Sequence, residues 1–423
     1  MNKPKIAIVG SGISGLACAY FLSEKYNVKI FEKNDYLGGH SNTATIDYNG
    51  KEIAVDTGFI VFNHATYPNL KSFFKLLDVD CEKSNMSFAV KIDNGKLEYA
   101  GTNLTSVFAQ IKNSFNPQFL IMLRDILRFN KKAIDILSKP FDANYTLQNL
   151  LDDLGVKKYF REFYLLPMSG AIWSCPLETM LAYPAQSFVA FFKNHGLLTV
   201  ADQPQWYTVS GGSKEYVKKI ADKIGENSIS LNDEVNSVER LEEGVLVKSK
   251  KGEELFDFVF LASHGNQVLP LLKNASIAEK EVFSAFKYQP NLAVLHRDSS
   301  VMPNSKKAWA SWVYSNNSKS ENQQIAVSYW MNNLQNIDAK YPLFVTLNPA
   351  QKIAEEKIFA RFNYEHPIFD SAAIASQSRI DELQGVDKIY FCGAYQNNGF
   401  HEDGISSALL AINKLKIFAP WQA

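Results

Sequence analysis

Lys5-Ile6-Ala7-Ile8-Val9-Gly10-Ser11-Gly12-Ile13-Ser14-Gly15 is the stretch that decides how this chain folds. Its first five residues, short and β-branched, predict a buried parallel strand. The GxGxxG turn follows, and a helical pattern runs over 16–22. A second strand is expected at 28–31, ending in Glu32, with Lys33, also expected at the cofactor, just past it. Gly10 permits the tight turn. Gly12 lets backbone N–H groups approach a pyrophosphate, with Ile13 and Ser14 in the same turn. Gly15 lets the helix pack close to the sheet. The helix N-terminus adds partial positive charge toward phosphates. Glu32 stands 22 residues after Gly10, where a carboxylate accepts bonds from ribose hydroxyls and repels a 2′-phosphate. The expected ligand is a dinucleotide.

Working outward, Gly38-Gly39-His40-Ser41-Asn42-Thr43 comes next, then Val55-Asp56-Thr57-Gly58-Phe59-Ile60-Val61-Phe62-Asn63. Near the other end stand Ile389-Tyr390-Phe391-Cys392-Gly393-Ala394 and Gly399-Phe400-His401-Glu402-Asp403-Gly404-Ile405-Ser406. With these residues the chain resembles the flavin-containing amine oxidase superfamily, which includes phytoene desaturases and protoporphyrinogen oxidases. It is most similar to a bacterial FAD-binding branch, itself similar to the domain fused ahead of plant cyclopropane fatty acid synthases. The resemblance spans the whole chain. It implies FAD as cofactor, with Gly38, Gly39, His40, Thr57, Gly58 and Gly393 beside it. Gly404 and Ile405 are expected to start a last helix whose N–H groups face the phosphate or ribityl chain. In relatives the position of Val235 meets the adenine through its backbone. Some relatives carry a flavin-linked cysteine near 363–369; this chain has none there, so non-covalent FAD is expected.

The expected fold class is α/β: a Rossmann-like FAD-binding lobe with a discontinuous mixed α+β substrate lobe, an amine-oxidase-like two-lobe architecture. The FAD lobe is assembled from 1–80, 205–270 and 385–423, and the substrate lobe from 81–204 and 271–384. A helix is expected at 216–224 and strands at 228–231, 244–249 and 255–262, the last buried throughout. The insert 81–204 reads as mostly helical, with Thr146 as an N-cap. The insert 271–384 carries strand patterns at 291–295 and 324–330, and 315–324 reads as a surface loop.

Composition narrows the function. Lys+Arg and Asp+Glu are both 44 in 423 residues, so nothing recommends a nucleic-acid partner. Cys18, Cys81, Cys175 and Cys392 form no CxxC pair and the seven histidines no metal spacing, so no metal is expected. Scattered thiols fit a reducing cytoplasm. No signal peptide or transmembrane run is read. Segment 115–137 is apolar with Arg124, Arg128, Lys131 and Lys132 interspersed. Such a helix can lie on the inner face of an anionic membrane, as can the Lys/Trp-rich end at 414–421. The preferred reading is a lid or core helix of the substrate lobe, with a docked tail.

A flavin takes hydride at N5 from a substrate C–H, and the protein orients both. With one GxGxxG and no separate nicotinamide domain, electrons would pass to oxygen, a quinone or a carrier. Aromatic candidates for the pocket are Trp173, Trp309, Trp312, Tyr314 and Tyr395. Tyr395, His401, His40 and Trp312 are the candidates for a catalytic role. His40 replaces the Arg that often follows the paired glycines in amine oxidases, which argues against a simple amine substrate. The leading reading is an FAD-dependent oxidoreductase of amine-oxidase type acting on an apolar small molecule or fatty acyl lipid. The others are a fatty-acid double-bond isomerase without net redox and a non-catalytic partner of a lipid methyltransferase.

Overall fold

The computed structural model describes residues 3–142, 144–173, 177–199, 203–316 and 326–422. The opening fingerprint folds as strand β1 (Lys5–Val9), helix α1 (Ile13–Leu22) and strand β2 (Asn27–Phe31). The helix starts three residues before the expected position. Gly12 is its N-cap, so Ile13, Ser14 and Gly15 form its first turn. β1 sits at the centre of a five-stranded parallel sheet, in the order Ile229–Ser230, β2, β1, Phe258–Leu261, Ile389–Phe391. Ile6, Ala7 and Ile8 are fully buried, as expected for a parallel strand covered on both faces. The last helix, His401–Asn413, packs on α1, where the Ser14 hydroxyl donates to the Gly404 carbonyl at 2.8 Å. Deeper in this contact the thiols of Cys18 and Cys392 lie 3.8 Å apart.

Residues 255–262 do not form one strand. Gly252–Phe256 completes a three-stranded antiparallel sheet with Val235–Arg240 and Val245–Ser249, and Phe258–Leu261 joins the parallel sheet. Asp257 makes the break: its carboxylate accepts from the Lys5 N–H at 2.7 Å, and its own N–H donates to the Lys5 carbonyl at 2.9 Å. Leu255 faces outward on the antiparallel side.

The second lobe is a seven-stranded mixed sheet under a helical layer. Its order is Ile358–Ile368, Lys287–His296, Phe344–Leu347, Ala326–Trp330, Trp312–Asn316, Phe88–Ile92, Leu97–Ala100. The strands expected near 291–295 and 324–330 fall in this sheet. Ser315 and Asn316 end a strand rather than open a loop, and 317–324 lie outside the described residues. The insert 81–204 contributes three strands besides its helices, Cys81–Ser84 among them. Thr146 caps Leu147–Asp153, as expected, and the structure adds a reciprocal bond with Asn149 that completes a capping box.

Segment 115–137 is also divided. A 3-10 turn, Ile111–Phe115, precedes the α-helix Pro117–Lys132, which passes into a second 3-10 segment, Ala133–Ser138. Asn116 sets the boundary: its side-chain oxygen accepts from the N–H groups of Gln118 and Phe119 at 3.0 and 3.4 Å, with Pro117 at the first helical position. The C-terminal end is docked on the first lobe. Trp421 packs edge-on against Phe21, and its ring N–H donates to Asn69 at 3.0 Å. Among the described residues no helix is long and apolar enough to cross a membrane.

Candidate cofactor and substrate site

One cavity of about 860 Å³ runs between the lobes. Its floor is the glycine turn. A Cβ on Gly15 would sit 2.0 Å from the Gly10 carbonyl oxygen, so that contact admits only hydrogen. A Cβ on Gly12 would meet nothing within 4 Å, because its missing side chain opens onto the cavity. Gly39 holds a left-handed backbone (φ +58°) beside Gly12 and brings His40 to the same rim.

Glu32 lines the cavity and is buried. One carboxylate oxygen accepts from the Ser11 N–H and hydroxyl at 3.0 and 2.6 Å. The other accepts from the Asn34 backbone and side-chain N–H groups at 2.9 and 2.8 Å. A ribose hydroxyl would reach it by replacing one of these donors. Gly10, Ile13, Ser14, Lys33, Gly38, Thr57, Gly58, Val235 and Gly393 also line the cavity. Gly15, Gly404 and Ile405 do not. The last helix starts at His401, so the Gly404 N–H is already bonded to the Phe400 carbonyl at 3.0 Å. Gly404 instead gives α1 room: a Cβ there would lie 2.7 Å from the Ile13 side chain.

Histidines gather over this floor. The His40 ring lies 4.9 Å from Tyr364, 5.4 Å from His366 and 6.0 Å from His264. Its Nε2 is buried without a hydrogen-bond partner. Burial first, then the neighbouring histidines, hold its pKa well below the ordinary value, so it is neutral. His401 stacks on Phe59 at 3.8 Å, and its Nε2 meets the Ser41 hydroxyl at 2.8 Å, which in turn bonds Tyr216. Burial lowers its pKa to about 3.

Asp56, which the sequence reading passed over, ties three segments together. Its carboxylate accepts from Thr43 at 2.6 Å, from the Ser213 N–H and hydroxyl at 2.9 and 2.7 Å, and from the Gln335 amide at 2.9 Å. Burial raises its pKa to about 6 against these bonds. Thr57 beside it shares a 2.7 Å hydrogen bond with Tyr364 of the second lobe.

Beyond Thr57 the cavity becomes apolar and aromatic. Met86, Ile172, Phe191, Leu197, Trp206, Trp312, Tyr329, Leu347 and Phe400 line it. Trp312 meets Tyr329 edge-to-face at 4.9 Å, and its indole N–H has no partner. Phe191 stacks between His195 and Phe400, at 3.9 and 5.2 Å. Of the five aromatic candidates, Trp312 and Tyr395 reach the cavity wall. Tyr395 is otherwise embedded in the first lobe's core against Phe283 and Phe286, its hydroxyl unpartnered. Trp173 packs on Phe191 from behind, and Trp309 donates to the Pro303 carbonyl. The carboxylates on the cavity wall are Glu32, Glu234 and Glu365; Glu32 bonds the glycine turn at Ser11, and Glu365 lies 3.4 Å from His264. Among the described residues no cluster could hold a metal ion.

Residues 13–323 match the family described as flavin-containing amine oxidoreductase. The chain belongs to that family. The carotenoid phi-ring synthase of Streptomyces griseus is 28% identical over 144 residues, which are 31% of this chain and 26% of that protein. The chain thus spans about a quarter of that curated relative. The CLA-producing fatty acid isomerase of P. acnes superposes with a TM-score of 0.68 at 13% identity, over 98% of this chain and 99% of that one. Cyclohexylamine oxidase of Brevibacterium oxydans superposes equally well, at 0.68 and 14% identity, over 98% and 100%. At these identities the likeness is one of fold: this flavin-containing amine oxidoreductase shares its two-lobe α/β architecture with both of these proteins.

Proposed function

We propose that this protein holds FAD non-covalently and oxidises a neutral, apolar substrate of fatty acyl character. The carrying observation is the polarity of the cavity, which changes along its length. The glycine turn, Glu32, His40, His264 and His366 form one part of its wall, and aromatic and aliphatic side chains, with the neutral His195 stacked among them, form the other. The open space at Gly12, the first-turn N–H groups of α1 and the orphaned Nε2 of His40 fit a pyrophosphate. The apolar end has no carboxylate to pair with an ammonium, so a cationic amine would be desolvated there without compensation. An acyl chain loses nothing by entering it.

When bound, the flavin supplies a hydride acceptor. The chain's own residues orient and dry the site. Phe191, Phe400 and Trp312 exclude water from the apolar end. His40 and His401, both neutral, offer no positive charge to a fixed anion on the substrate. Thr57 and Tyr364 hold the two lobes in register.

Anaerobic addition of neutral fatty acyl esters, unsaturated and saturated, to the yellow protein tests this. Loss of the oxidised flavin's visible band is expected with an acyl substrate and not with alkylamines; bleaching by amines alone would overturn the substrate class. The likeness to a fatty acid isomerase supports a second outcome, double-bond movement without net redox. It would appear as a product of unchanged mass and no oxygen consumption. Protein that purifies colourless and ignores added FAD would defeat both.

A further inference from the structure

The stretch 104–134 exposes large apolar side chains at a density the rest of the surface lacks. Leu104, Ile111 and Phe115 are 78, 77 and 80% exposed, and Leu127 is 59% exposed. Side chains so open to water contribute nothing to the core, and a cluster of them marks a contact surface. On the helix Pro117–Lys132 the outward positions are Leu120, Arg124, Leu127, Arg128 and Lys131, continuing to Ile134. At 100° per residue these six share one face, apolar and basic residues intermixed. The opposite face, with Phe119, Met122, Ile126 and Phe129, is buried in the second lobe.

Charge selects the occupant. Segment 104–141 carries Lys112, Arg124, Arg128, Lys131, Lys132 and Lys139 against two acids, in a chain whose formal net charge is zero. One of the acids, Asp125, is fully buried, where it accepts from the Lys157 N–H at 2.9 Å and pairs with Arg124. Asp135 is the exposed one. Arg128, Lys131 and Lys132 project with no carboxylate within ion-pair distance among the described residues. We propose that this surface rests on an anionic phospholipid bilayer. The helix lies in the membrane plane, Ile111, Phe115, Leu120 and Leu127 enter the acyl boundary, and the basic residues meet headgroup phosphates. A protein partner would instead call for acids complementing the cations and would not require headgroup charge. The docked Trp421 end takes no part.

The test is co-sedimentation of the full chain with vesicles of phosphatidylcholine alone and of phosphatidylcholine with phosphatidylglycerol. Binding is expected to the second only, weakening as salt is raised. The double variants Ile111→Ser/Phe115→Ser and Arg128→Glu/Lys131→Glu should each lower affinity by about tenfold or more. Phe115→Trp keeps the exposed aromatic, and its emission, read as the difference from the wild-type protein with its six tryptophans, should shift to shorter wavelength when anionic vesicles are added. Wild-type protein that stays in the supernatant with both vesicle types, or an unmoved Phe115→Trp spectrum, overturns the proposal. So does a self-associated protein that Ile111→Ser/Phe115→Ser dissociates, since that would assign the surface to a second copy of the chain.

Discussion

Gly12 and Gly15 stand three residues apart in one motif, yet the structure gives them different duties. The Gly15 contact with the Gly10 carbonyl is internal to the fold, whereas Gly12 opens onto the cavity. Gly12→Val should therefore abolish flavin retention and leave the melting transition of the flavin-free protein nearly unchanged. Gly15→Ala should lower stability by about 1–3 kcal/mol, the range for overpacking a tight contact, read by denaturant titration. Asp403 and Asp56 supply a pH test. Burial raises Asp403 to about 7 and Asp56 to about 6, both above an unfolded carboxylate near 4. The folded state then binds more protons than the unfolded one, so these groups' stabilisation falls as pH rises through about 6–7. The loss runs from about pH 4, where the unfolded carboxylates titrate, to about pH 7, so across that window the wild-type melting temperature should fall relative to Asp403→Asn and the difference should level off above it. The buried histidines act in the opposite sense below about pH 6.5, where unfolded histidine takes up protons that His366 and His401 resist. At this scale the sequence pointed to Gly10, Gly12, Gly38, Gly39, Glu32 and His40, which all line the cavity, because turn chemistry is local, but not to the packing role of Gly404. It did not disclose Phe191, His195, Tyr329 or Phe400 as neighbours. A Phe on an amphipathic helix looks the same whether it faces core or cavity.

Elements were legible where their end signals are local. The N-cap at Thr146 and the strand of Lys5–Val9 could be read directly, and Thr146→Ala should cost about 1 kcal/mol in a thermal or urea melt. They were misread where one polar residue outweighs the average of its neighbours. Asp257 inside 255–262 and Asn116 inside 115–137 each divide an apolar run by binding backbone N–H groups that the continued element would have used. Asn116→Ala should remove the cap of the Pro117–Lys132 helix and cost a similar amount. Loss of the cap also frays the turn that presents Phe115, so the variant should show faster amide exchange there than in the helix centre.

The whole molecule joins its beginning, middle and end in one parallel sheet. β1 pairs Phe258–Leu261, which pairs Ile389–Phe391, and the last helix closes over α1. The two-lobe α/β class was legible from the motifs at the two ends. The seven-stranded second sheet was not, because its strands come from both inserts and pair across more than 200 residues, as Trp312 with Phe88. A chain ending at residue 384 should lack a cooperative melt and bind no flavin, since the floor of the cavity would lose its edge strand and its covering helix. Limited proteolysis and visible absorbance would register both losses.

Cys18 and Cys392 face each other at 3.8 Å beneath that floor, both fully buried. Burial, reinforced by Cys392, raises the Cys18 thiol well above its ordinary pKa, and an un-ionised, enclosed thiol is inert to alkylating reagents. The pair becomes reactive only when the last helix lifts from α1. Mass-resolved labelling of these two sulfurs thus times the spontaneous parting of the last helix from α1, and a ligand held tightly over the glycine turn should slow that clock.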